Sequence, residues 1–396
     1  MHVLIIEAVL TGHHSGYLTH IAAAYMDAGH NVTVTAIQRD AAHPAIDRLK
    51  TQFGDAFSVM PLDDAKYDAA LHSRLGKPGS ELALRRLFGQ AYSVVHRAKA
   101  VDYVFLPYLD YCLFALGLLG SPFGLTQWGG ICMRPSFHYK HFGVSAPTPK
   151  LAATKRTLFL RLLRSKTLKS LYTIDELLHR FVSERHSHWT ERLQYVPDPA
   201  ELNGSHTYES AREAFGIPNG AVVVLVYGAL DGRKGMDVLV TAMSSPGVPS
   251  TLQLLVAGKQ SASIQLFMQT PIVQTLTRDG RCHVINCFVD AKIEQMVFSA
   301  SDIVWLGYRN HYSMSGVLIL SEIAGKPIIG TKEGLIGWYI KNRNLGSAVD
   351  ITNQAEIRTE LIKISTTDKN KLKDNGSYTA KTHTWVNLTS KVTKII

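Results

Sequence analysis

The sequence is poor in cysteine, in long apolar runs and in negative charge. Four cysteines, Cys112, Cys132, Cys282 and Cys287, occur in 396 residues. They form no CxxC pair and no metal-ligand spacing, which argues against a cysteine metal site and points to free thiols in a reducing cytoplasm. The longest apolar stretches, such as Ala221 to Tyr227, fall far short of the roughly 20 residues that cross a bilayer. The opening MHVLIIEAVL has no basic lead-in and no cleavage pattern, so it is expected to be a first β-strand and not a signal peptide. No short-period repeat and no low-complexity run is present. Against 42 Lys and Arg stand 32 Asp and Glu, a formal net charge of +10. Such a balance suits an anionic partner (nucleic acid, a membrane surface or a phosphorylated ligand) or is simply a basic surface. No basic-aromatic motif supports nucleic acid, and no nucleic-acid partner is expected.

What is present is a globular composition, 46% hydrophobic and 19% charged, on a chain long enough for two domains. The first half opens with a strand (HVLIIEAV), a glycine-bearing turn from Gly12 to Gly16, a helix from Tyr17 to Ala28 and a strand from Asn31 to Ile37. That is a βαβ unit and implies a parallel sheet. Another strand is expected at Asp102 to Pro107. Residues 150 to 192 look helical and run into Val196-Pro197-Asp198-Pro199, too proline-rich for the interior of an element. The alternation then restarts. Strands are expected at Val222–Tyr227, Leu252–Ala257, His283–Ile285, Ile303–Leu306 and Pro327–Gly330. Helices are expected at Met236–Met243, Ile293–Ser299 and from Ser315-Gly316 to Ala324. The expected fold class is α/β, with two Rossmann-like, doubly wound parallel-sheet domains facing a cleft. Residues 1–194 form the first domain and 195–375 the second. Residues 376–396, polar at first and helix-like around Trp385, cross back to the first.

Residues 222 to 330 carry the most information. VLVYGALDGRKGMDVLVTAM places a glycine turn after a strand and then a Lys-Gly that opens a helix. LQLLVAGK, VINCFVDAKIEQMVFSASDIVWLGY and SGVLILSEIAGKPIIGT follow in order. This passage resembles the donor domain of family 4 retaining glycosyltransferases, which have the GT-B fold. Gly228, Leu230, Lys234, Gly235 and Gly258 keep the pattern, and Ala229 stands where the family has arginine. The resemblance implies a nucleotide-diphosphate sugar (UDP- or GDP-sugar) as donor substrate, with no permanently bound cofactor. It implies a glycan or lipid-linked acceptor and transfer with retained anomeric configuration. It also implies work in polysaccharide or glycoconjugate biosynthesis. The chemistry agrees. The departing pyrophosphate gains charge, and fixed cations or helix N-termini stabilise it. Lys234 and Arg233 are the candidate phosphate-neutralising pair, and Ser313, Ser315 and Gly316 the candidate anion cradle. Lys234 is otherwise a solvated surface lysine, and Ser315-Gly316 a simple helix cap. No Asp-x-Asp pair stands out, so a metal-independent reaction is expected.

One departure bears on activity. The family carries two glutamates, with seven residues between them, at the sugar and the ribose. Counting back from Gly325-Lys326-Pro327, those places fall on Tyr312 and Leu320. Glu322 lies two residues off, roughly 200° around a helix from Leu320, and is expected to face solvent or the other domain. The competing reading is therefore a catalytically degenerate homologue that binds sugar or a partner.

In the first half, Gly12 and Gly16 bracket a loop that the family places at the donor phosphates, and His13 or His14 can contact phosphate or acceptor. Each histidine is equally an exposed loop residue. In GLTQWGGICMRPSFHYKHF, Trp128 stands where the family often has a sugar-contacting histidine. It is a candidate for stacking on a sugar or for core packing. Arg134, His138, Lys140 and His141 are candidate polar contacts or plain surface. Asp110 either orients an acceptor hydroxyl or caps a helix. Finally, Lys150 to Lys169 holds seven cations and no acid, interleaved with Leu158, Phe159, Leu162 and Leu163. It is either a partly buried helix with a solvated basic face or a surface for anionic lipid. The latter puts the protein on the inner face of the membrane, as a peripheral cytoplasmic protein.

Overall fold

The computed structural model describes residues 1–366 and 376–394. Residues 367–375 and 395–396, which include most of the polar tail after Asp368, lie outside the described residues. Among the described residues thirteen strands form two sheets. The first contains β1 (His2–Ile6), β2 (Asn31–Ile37), β3 (Phe57–Leu62), β4 (Tyr103–Leu106), β5 (Gln127–Cys132), β6 (Leu168–Thr173) and β7 (Leu193–Tyr195). The second contains β8 (Val222–Tyr227), β9 (Leu252–Ala257), β10 (Cys282–Ile285), β11 (Ile303–Leu306), β12 (Ile328–Thr331) and β13 (Gly346–Val349). Their orders are β3-β2-β1-β4-β5-β6-β7 and β10-β9-β8-β11-β12-β13. All pairings are parallel.

The reason lies in the runs themselves. His2–Ile6, Val222–Tyr227, Leu252–Ala257 and Ile303–Leu306 are buried at every position. Strands covered by helices on both faces need continuous rather than alternating hydrophobicity. In each sheet the order reverses beside the first strand, between β1 and β4 and between β8 and β11. In open α/β sheets such switch points, at the strand C-termini, are where ligands settle.

The chain divides into two compact units. Unit 1 holds residues 1–141, 148–198 and the segment from Trp385 onward; unit 2 holds 142–147 and 199–384. Within unit 2 the short segment 142–147 is tied down by Trp338 Nε1, which donates to the Phe142 carbonyl (3.1 Å), and by Gly334 N–H, which donates to the Ser145 carbonyl (2.7 Å). Within unit 1 the helix Trp385–Thr393 packs on the helix His13–Asp27. Trp385 stacks on His20 at 4.2 Å, and the Tyr25 and Tyr172 hydroxyls donate to the carbonyls of Val392 and Lys391.

Residues 150–192 are not one helical region. Helix Ala152–Leu163 is followed by β6, then by helix Glu176–Arg185. Phe159, Leu162 and Leu163 are buried, and the Leu158 backbone packs so closely on Gly117 that a Cβ there would lie 2.3 Å from its carbonyl oxygen. The apolar side of this helix is thus spent inside unit 1, while Arg156, Arg161, Arg164, Lys166 and Lys169 stay exposed. Among the described residues no helix is long and apolar enough to cross a membrane.

Candidate functional site

The switch point of unit 2 is built by glycines. Gly235 has φ 62°, and a Cβ on it would lie 2.2 Å from the Gly307 carbonyl oxygen. Only glycine lets the turn close there, and it starts the helix Met236–Met243. Gly258 (φ 145°) is as constrained, its missing Cβ falling 1.8 Å from the Gly228 carbonyl oxygen. The turn bends the chain so that Lys234 reaches back over the end of β8. Its Nζ donates to the Tyr227 carbonyl (2.9 Å) and makes a short hydrogen bond to the Tyr308 hydroxyl, just past β11. A Cβ on Gly228 would be 3.3 Å from this Nζ and 4.0 Å from Val317 Cγ2. Lys234, Gly228 and the first turn of helix Gly316–Ile323 therefore meet at one spot. An ammonium has three donors, and the two contacts leave one. Ser315, buried, is the N-cap of that helix but makes no side-chain cap bond; Gly316 is exposed with open space beside it. The first N–H groups of a helix lack intrahelical acceptors, and anions suit them. Ser313 lies half-buried just before it.

Arg233 lies apart from this arrangement. Its side chain is 63% exposed and holds both oxygens of Asp231, donating to Oδ2 at 2.7 and 2.9 Å and to Oδ1 at 3.2 Å. A phosphate would have to displace that carboxylate. Leu320 is buried, Tyr312 is half-buried, and Glu322 does not face solvent: it is buried and accepts from Arg343 Nη1 at 3.2 Å. Tyr308 was missed by sequence reasoning. Its signal was an aromatic placed directly after a strand at the point where the sheet order reverses.

At the switch point of unit 1 the His13 and His14 rings stack at 4.4 Å where helix His13–Asp27 begins. Behind them is Glu7, fully buried just past β1. Its Oε1 meets His14 Nδ1 (3.2 Å) and accepts from the Tyr111 hydroxyl (3.3 Å); its Oε2 has no hydrogen-bond partner among the described residues. Burial pushes the Glu7 carboxyl up, against the pull of its bond to His14. Desolvation, and then the charges of His14 and Arg134, push His13 below the usual imidazole range. Tyr108 packs edge-on to His14 at 4.7 Å, and the Arg134 guanidinium sits 5.3 Å above its ring. Glu7 too went unnoticed, although a lone acid in the apolar run HVLIIEAV was its mark.

Four expectations for this unit change. Trp128 is wholly buried in β5, with its indole N–H directed to Thr167 Oγ1 (3.2 Å); it is core and offers no face to a sugar. His138 is also wholly buried and bonded to Asp175 Oδ2 (3.0 Å), which removes it from any ligand. Asp110 accepts from the backbone N–H groups of Met133 (2.7 Å) and Arg134 (3.0 Å), so each of its oxygens is engaged in fixing the loop after β5. Gly16 is small because Trp385 lies 3.3 Å from where its Cβ would be, which makes it a packing glycine. Gly12, at φ 61° and with open space beside it, still starts the first helix. Lys140 and His141 are at the surface or near it, the latter beside Glu184 (3.4 Å). All four cysteines are free thiols, and only Cys287 is exposed. Among the described residues no group of three or more His, Cys, Asp or Glu could hold a metal.

No protein-family model and no curated protein matches the chain. Solved structures do. Sucrose-phosphate synthase from Thermosynechococcus elongatus superposes with TM-score 0.69 and 14% identity, over 100% of this chain and 98% of that one. HepE from Anabaena, in complex with UDP and glucose, superposes with TM-score 0.65 and 15% identity over 100% and 98%. WaaG, a glycosyltransferase of lipopolysaccharide biosynthesis, gives TM-score 0.64 and 16% identity over 100% and 99%. With two parallel Rossmann-like sheets and this likeness along its whole length, the chain has the GT-B fold of glycosyltransferases.

Proposed function

We propose that the protein is a glycosyltransferase that takes a sugar from a nucleotide-diphosphate donor bound by unit 2 and transfers it to a glycan or lipid-linked acceptor bound by unit 1. The observation that carries this is the Lys234 ammonium, fixed by two oxygens beside Gly228 and the open start of helix Gly316–Ile323, with one donor left. Held cations and free helix N–H groups stabilise the charge that builds on a departing diphosphate. Lys234 neutralises the phosphates in this reading, and Ser313, Ser315 and Gly316 cradle them. Arg233 joins only by leaving Asp231.

By the family resemblance, the configuration at the transferred carbon is retained and no metal is required. The bond from that carbon to the phosphate oxygen breaks, and its bond to the acceptor oxygen forms. The acceptor proton passes to the leaving phosphate, so no separate protein base is invoked. HepE's complexes with UDP and UDP-glucose make UDP the first donor base to test. The exposed cations of residues 150–169 support contact with an anionic membrane on the cytoplasmic side. With the apolar side buried, that contact is electrostatic only, and salt weakens it.

The test is thermal shift with UDP, GDP and ADP, followed by donor hydrolysis and transfer with the matching sugar. A ligand of the folded state raises its melting temperature by mass action. One of the three should do so, and Lys234→Ala should sharply reduce the effect. Binding without turnover across a donor panel favours the degenerate homologue, consistent with Tyr312 and Leu320 in place of carboxylates. No shift with any nucleotide refutes the proposal.

A further inference from the structure

Unit 1 contains a cavity of about 270 Å³ just past the C-terminal ends of β4 and β5. That is near the ~300 Å³ lower end of small-molecule sites, enough for a sugar-sized molecule. Its chemistry is lopsided. Lys77, Arg134 and Lys155 line it, from three different parts of the chain. Lys77 belongs to the first turn of helix Gly76–Ala98 and Lys155 to helix Ala152–Leu163. Arg134 follows β5, and its backbone is fixed by Asp110.

None of the three cations has a side-chain ion pair among the described residues. Two are instead oriented by rings: Arg134 lies over Tyr108 at 5.3 Å and Lys155 over Phe114 at 5.7 Å. Two carboxylates share the wall, Asp110 and Glu81. Both are bound to backbone. Asp110 accepts from Met133 and Arg134, and Glu81 Oε2 accepts from Phe114 N–H (2.9 Å) and Ala115 N–H (3.2 Å).

We propose that this cavity binds a phosphomonoester carried by the acceptor. The ester brings about −1.5 to −2 charges at neutral pH. That matches three unpaired cations better than a single carboxylate does, and an arginine fork meets phosphate oxygens in pairs. The inference rests on unit 1 being the acceptor side, and it narrows the acceptor to one that presents a phosphorylated sugar or polyol there.

The experiment is calorimetric titration of the full chain with glucose 6-phosphate and glycerol 3-phosphate, and with glucose and glucuronate for comparison. At least one phosphate ester should bind saturably, glucose should not, and glucuronate should bind more weakly. Raising the ionic strength should weaken binding. Arg134→Gln and Lys77→Gln should each weaken it about tenfold or more. Both side chains are exposed, so melting temperature should hold and serve as the folding control. Inorganic phosphate separates recognition of the anion alone from that of the whole ester, because it should bind more weakly than the better ester. Lys234→Ala should leave ester binding intact while weakening UDP binding about tenfold or more, so failure of the donor assignment is told apart from failure here. The proposal is overturned if neither ester binds, if glucose or inorganic phosphate binds as tightly, or if the Arg134/Lys77 double variant binds like the parent.

Discussion

Replacing Lys234 with alanine tests the donor site most directly. In the folded protein its ammonium already donates to the Tyr227 carbonyl and the Tyr308 hydroxyl. The third donor is assigned to a phosphate oxygen. A hydrogen bond to a charged group contributes about 1.5–3 kcal/mol, so UDP affinity should fall about 10- to 150-fold. The variant also leaves the Tyr227 carbonyl short of a partner, which should cost about 1–2 kcal/mol of stability. Weakened binding alone could then come from a disturbed turn. Tyr308→Phe separates the two. It deletes one of the two protein contacts of the ammonium but keeps the charge in place through Tyr227. Its stability should fall by about 1 kcal/mol, while UDP affinity should stay within about threefold of the parent. Titration calorimetry gives the affinities and urea melts the stabilities. If Lys234→Ala binds UDP as the parent does, or if Tyr308→Phe loses as much affinity as Lys234→Ala, the assignment of that third donor is wrong.

Gly258→Ala should fail to accumulate as folded protein, because its Cβ meets the Gly228 carbonyl oxygen at 1.8 Å with φ at 145°; soluble, cooperative melting near the parent temperature refutes this. Trp128→Phe should lower stability by about 1–3 kcal/mol through a cavity yet leave ligand affinities unchanged, since the indole is wholly buried; urea melts and titrations check both. Burial holds the Asp198 carboxyl up at about 6, against the Tyr17 hydroxyl that donates to it at 2.6 Å. The folded state then binds the proton more tightly than the unfolded chain. The contribution of Asp198 therefore improves as pH falls from about 6 toward 4 and is absent at pH 8, a swing of at most about 3 kcal/mol. Asp198→Asn should gain stability relative to the parent at pH 8 and lose that advantage at pH 4; an equal difference at both pH values refutes the cause given.

The sequence carried the inner strands and little of the edges. β8, β9 and β11 are legible because burial on both faces demands unbroken Val, Leu and Ile. β3, β7 and β13 lie at sheet edges and are part-exposed, so FSVMPL, LQY and GSAV carry no comparable run. β6 is interior but is written LKSLYT after a basic segment, and its lysine, Lys169, mimics a helix surface. Glycine turns were legible for a stricter reason: at Gly235 and Gly258 no other residue fits. Side-chain roles were least legible. Trp128, His138 and Asp110 are polar or aromatic residues near strand ends, as ligand contacts are, but tertiary partners claim all three. Glu7 and Tyr308 acquire meaning only once the strand order sets β1 beside β4 and β8 beside β11.

The packing of the last helix on the first has a consequence for synthesis. The indole of Trp385 covers Gly16, Tyr17 and His20, so a nascent chain that has completed all seven strands of its first sheet still lacks one wall. That wall arrives only after nearly two hundred further residues have left the ribosome. Domains commonly fold in order of emergence; here the first to begin should be the last to finish, and until then it shows chaperones an aromatic face.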